Sequence, residues 1–181
     1  MNRTLLTLAV VAALSTWAAA QNPTHGPIAA DQLKMLRSNQ TLLRHLLEHS
    51  LKVSNAGTAL ERAEECRRTA VTIGDELKSA AEGPTADADR VAELSDHITT
   101  VVRDGLTPTL TQARGQIHRG SPDFERLQKE QELVKSELAK VQQWIPAEGK
   151  LAQSPRVKDA RGKLAAAVGA LQEAVPDDSR K

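Results

Sequence analysis

Phe124, Leu127, Gln131, Val134, Leu138, Val141 and Ile145 recur at alternating spacings of three and four residues. Such a heptad seam commits a chain to α-helix, because only a helix brings residues three and four apart onto one face. The flanks of this segment pair Glu125 with Lys129 and Glu137 with Lys140, the spacing of solvated helix surfaces. No run alternates with the period of two that a half-buried strand requires. Ala, Leu, Glu, Gln, Lys and Arg, the stronger helix formers, dominate every periodic segment.

Five helices follow from this reading, at about residues 28–54, 58–82, 86–119, 122–145 and 155–175. Thr58 with Glu61 has the spacing of a capping box, and Gly57 stands where the preceding helix closes. Gly83-Pro84 stops the second helix and Gly120 the third. Ser121-Pro122 and Ser154-Pro155 each supply a cap and a first-turn proline. Pro108 falls inside the third pattern, which predicts a kink or break near Gly105–Pro108. The second helix carries a seam of small residues, with Ala59, Ala63, Cys66 and Ala70 among them, suited to close packing. The first is apolar over a broad arc: Leu33, Leu36, Leu43 and Leu47 on one stripe, Met35, Leu42, Leu46 and Val53 on the next. An arc that wide predicts two partners and a central position. The expected architecture is an all-α, antiparallel helical bundle of four to five helices over residues 28–175, joined by short connections.

The first twenty residues read as an export signal. Arg3 supplies a positive start, Leu5–Leu14 an apolar run and Ala18-Ala19-Ala20 a cleavage site. The run is about half the roughly 20 residues a spanning helix needs, so no transmembrane segment is expected after cleavage. Residues 21–27 read as an irregular linker and 176–181 as a charged C-terminal tail. The location implied is periplasmic or secreted.

Composition then narrows the function. Aromatic residues make up 2% of the 181, and 24 basic side chains face 23 acidic ones. Few aromatic faces argue against a ligand pocket, and a charge balance near zero argues against a nucleic-acid partner. No nucleophile elbow or phosphate-binding loop is present, so the chain reads as non-enzymatic and no cofactor is expected.

Several residues remain that carry chemistry elsewhere. Cys66 is the single cysteine; on its small-residue seam it reads as a buried hydrophobe, with a disulfide to another chain as the rival. Glu61, Glu64 and Glu65 interleave with Arg62, Arg67 and Arg68, and Glu64–Arg68 has i, i+4 spacing, the pattern of a solvated face. His45 and His49 share a helix face, as a metal site would require, and a third ligand would have to come from His97, His118 or a carboxylate. Exported, long-helical and poor in cysteine, the chain is similar in architecture to small helical periplasmic stress proteins. Their L-T-x-x-Q motif is not reproduced in Leu106-Thr107-Pro108-Thr109-Leu110. The function expected is an exported helical bundle acting through helix-mediated protein contacts, with a partner or a second copy. Metal binding through His45 and His49 is the alternative.

Overall fold

The computed structural model describes residues 30–83 and 86–175, with side chains from Asn39 onward. The expected signal, linker and charged tail lie outside these residues. The chain forms two units, Met1–Arg37 and Ser38–Lys181. Within the first, the described residues are Ala30–Arg37, which are helical.

The second unit is an all-α helical bundle. Helix α1 (Ala30–Asn55, entering this unit at Ser38) is followed by α2 (Ala59–Glu82) and α3 (Ala88–Thr100). A π-helical segment, Val101–Leu106, leads directly into α4 (Thr107–Gln116). Then come α5 (Phe124–Trp144), a one-turn α6 (Gly149–Gln153) and α7 (Pro155–Ala174). Among the described residues there is no strand.

The boundaries have local causes. Thr58 Oγ1 accepts from the Glu61 amide at 3.1 Å, and the Glu61 carboxylate accepts from the Gly57 and Thr58 amides at 2.9 and 3.0 Å. This is the expected capping box, and these amide bonds, led by those from Thr58 and Gly57, hold the Glu61 carboxyl below its usual range. Gly120 and Gly149 take φ values of +94° and +84°, a left-handed conformation that glycine adopts without steric cost. The start of α5 is a correction: Ser121 and Pro122 lie in a turn closed by Phe124 N–H to Ser121 O at 3.0 Å, and Asp123 is the residue before the helix.

Pro108 acts as expected on the third predicted helix, by a route the sequence did not specify. Proline has no N–H to offer the carbonyl four residues back, and its ring crowds that carbonyl. The chain answers with a wider turn, in which Thr107 N–H bonds to Val102 O, five residues back. Thr107 Oγ1 donates to Val102 O at 2.8 Å and Thr109 Oγ1 to Gly105 O at 2.7 Å, so hydroxyls take up carbonyl valence around the insertion.

The helix at the centre is α2, which packs against α3, the π segment, α4 and α5, while α7 covers α3 from the other side. Ala63 and Ala70 are completely buried on its small-residue seam. The heptad seam of α5 buries Leu127, Val134, Leu138, Val141 and Ile145 into the same core, with Phe124, Gln131 and Trp144 half-buried. Close approach shows at Gly74, where a Cβ would stand 2.8 Å from Val141 Cγ2 and 2.9 Å from Trp144 Cζ3.

The expectation that the first helix is central is overturned. Among the described side chains of α1, those of one apolar stripe reach the bundle and those of the other do not. Leu42, Leu46 and Val53 pack against the core, and with Asn39 and His49 they complete a three-four repeat along one face. The side chains of Leu33, Met35 and Leu36 lie outside the described ones.

Candidate functional site: the open face of α1

Leu43, Leu47 and Leu51 are 59%, 67% and 63% exposed, the exposed large hydrophobic residues of the described chain. At four-residue spacing they form one ridge. At about 100° per residue, its centre lies roughly 120° around α1 from the packed stripe. Arg44 and Glu48, both exposed, border the ridge on one side, and Ser50 and Ser54, also exposed, border it on the other. A contiguous apolar ridge with polar borders is what a contact surface requires.

Polar contacts hold this helix to the bundle. His49 Nδ1–H donates to Glu65 Oε2 at 3.0 Å, and the same tautomer leaves Nε2 to accept from the Thr72 hydroxyl at 3.4 Å. Arg68 bonds the other oxygen of Glu65, and Arg90 Nη2 donates to Asn39 Oδ1 at 2.7 Å. Burial opposes ionisation of Glu65, but the His49 hydrogen bond and the charges of Arg68 and Lys52 outweigh it, so its carboxyl sits below the usual range.

The two candidate metal ligands are therefore in different situations. His45 is exposed and 3.9 Å from Glu48, whereas both ring nitrogens of His49 already face protein partners. His97 lies beside Glu93 on α3, and His118 is exposed after α4. Among the described residues, no three His, Cys, Asp or Glu side chains gather as a metal site would need.

Cys66 is buried, as expected of its seam, with its sulfur 3.0 Å from where a Cβ at Gly105 would stand. Burial first, and then the Glu65 charge, push its thiol above the ordinary value, which disfavours the thiolate a nucleophile needs. A half-open groove of about 450 Å³ runs between α4, α5 and α7, over Leu110, Val134, Leu138, Val168 and Leu171. The titratable groups on its lining are Glu132 and Lys135.

The acidic and basic residues of α2 do not form the solvated face their spacing suggests. Arg67 is 8% exposed; its Nε donates to Glu130 Oε1 and its Nη1 to Glu137 Oε2, both at 2.6 Å. Glu137 therefore serves the interior and not a surface pair with Lys140. The expected Glu64–Arg68 pair is also replaced: Arg126 on α5 binds Glu64 through two nitrogens at 2.6 and 2.9 Å. Burial pushes the Glu130 carboxyl above its usual range despite Arg67.

No protein family, curated protein or solved structure matches the chain. Among the described residues, no helix is long and apolar enough to cross a membrane.

Proposed function

We propose that this is an exported, non-enzymatic helical-bundle protein that acts through protein contacts made by α1. The observation that carries the reading is the exposure of Leu43, Leu47 and Leu51 on a helix whose other apolar stripe is already packed. A broad apolar arc calls for two partners; the bundle supplies one, and another molecule supplies the second. Export is supported by the order of charge, apolar run and alanine triplet in residues 1–20. The non-enzymatic reading is supported by a groove with two titratable groups and by the burial of Cys66.

The test is photo-crosslinking in cells with a benzophenone amino acid at position 47, and at exposed Lys158 on α7 as the control. A discrete protein adduct from position 47 and none from 158 is expected. Equal labelling at both positions, or no adduct at 47, contradicts the reading.

A further inference from the structure

Threonine hydroxyls inside helices commonly return to their own backbone. Thr69, Thr99, Thr100 and Thr111 each donate to the carbonyl four residues back, at 2.8, 2.9, 3.1 and 2.8 Å. Thr72 instead donates across the seam between α2 and α1, to His49 Nε2 at 3.4 Å, while His49 Nδ1–H donates to Glu65 Oε2 at 3.0 Å. Hydroxyl, imidazole and carboxylate thus stand in series, with Arg68 on the second oxygen of Glu65. We infer that this series makes the Thr72 hydroxyl an acyl acceptor, modified by activated esters whose leaving group departs without a proton.

The order is that of an activated nucleophile: an acceptor, a base, and a group that orients the base. The Thr72 oxygen attacks the acyl carbon and its proton passes to His49 Nε2. A carbon–oxygen bond forms, the bond to the leaving group breaks, and the leaving group takes that electron pair away as an aryloxide. The imidazolium left behind lies against the Glu65 carboxylate, which already sits below its usual range. The 3.4 Å bond is long, as such bonds are before the reacting complex tightens them. Thr72 and His49 are half-buried and not sealed, which leaves an edge by which a small ester can enter. Thr72 lies well inside α2, where backbone amides are spent on the helix's own carbonyls. No pair of free amides therefore faces the developing oxyanion, so both transfer and hydrolysis of the resulting ester are slow. The chemistry is modification of one hydroxyl without turnover, in keeping with a non-enzymatic bundle and independent of what the ridge of α1 contacts.

The test is incubation of the protein, expressed from residue 1 and purified in the processed form the cell yields, with p-nitrophenyl acetate, followed by tryptic mapping. Thr69 and Thr72 fall in one peptide, Thr69–Lys78, so Thr69 is an internal control. Acetyl is expected on Thr72 and not on Thr69. His49→Gln should slow the labelling of Thr72 by about a hundredfold or more, the effect of removing a general base. Loss of the His49 contacts uncovers Thr72, so a fall in labelling reports the base and not access; circular dichroism checks the folding. Glu65 is a positioning residue: Glu65→Asp keeps its charge and Glu65→Gln its length, so the aspartate variant should retain more of the rate. The inference is overturned by equal labelling of Thr69, by a wild type unlabelled at Thr72, or by an unchanged rate in His49→Gln. A glutamine variant faster than the aspartate one overturns the relay as well, because Glu65 would then act by shape alone.

Discussion

Arg67 is the residue on which the interior polar chemistry turns. Its guanidinium joins α2 to α5 by bonding two carboxylates that lie two helical turns apart, Glu130 and Glu137. Removing one partner of a buried pair leaves the other charge desolvated and unpaired, which costs far more than the pair contributes. Arg67→Ala is expected to lose about 3–5 kcal/mol in urea unfolding at neutral pH. Glu130→Gln keeps an acceptor for Arg67 and should lose much less. The two also differ in pH dependence. A carboxyl raised in the folded state stabilises fully below its unfolded value, and that contribution is lost as pH rises through the folded value. Wild type should therefore lose stability relative to Glu130→Gln as pH rises above about 4.3. A difference between the two that does not change with pH would contradict the assignment. The sequence held a signal for this cluster that charge spacing obscured. Leu127, Glu130, Val134, Glu137 and Val141 also repeat at three and four, and Arg67 falls four after Ala63 and three before Ala70. Alternating Glu and Arg spell a solvated face equally well when the face points inward, so only the packing of α5 decides.

At the scale of elements, the helices whose apolar stripes are narrow were the legible ones. The heptad seam of α5 is core, the small-residue seam of α2 lies at the centre, and α7 runs Pro155–Ala174 against an expectation of 155–175. The π segment was legible as a disturbance only, since Pro108 dictates that the regular ladder fails but not how the carbonyls are repaired. The short α6 was not foreseen; five residues are too few for periodicity to show. Position 74 tests how closely α2 and α5 approach. Alanine is about 1 kcal/mol better than glycine within a helix, yet a Cβ there meets the buried, branched Val141 at 2.8 Å. Overpacking of that kind costs about 1–3 kcal/mol, so Gly74→Ala is expected to lower stability in urea unfolding despite its better propensity. In a double-mutant cycle, Val141→Ala should cost less in the Gly74→Ala background than alone. Additive losses would mean that the two helices relax apart.

For the whole molecule, the scarcity of aromatic side chains fits a bundle packed on Ala, Leu and Val, in which the helices come close, with a half-open groove between α4, α5 and α7. The breadth of α1's apolar arc was visible in the sequence, but its meaning was not. Two apolar stripes say that a helix has two partners, and nothing in the spacing says whether both belong to the same chain. The structure assigns the stripe of Leu42, Leu46 and Val53 to the bundle and leaves Leu43, Leu47 and Leu51 open. The proposed protein contacts rest on that division, and urea unfolding at sub-micromolar protein, where self-association contributes nothing, tests it directly. A Leu43→Ser/Leu47→Ser variant should unfold within about 0.5 kcal/mol of wild type, while Leu42→Ser/Leu46→Ser, with the same composition, should lose several times as much. Equal losses from the two variants would place both stripes inside the fold and contradict the account.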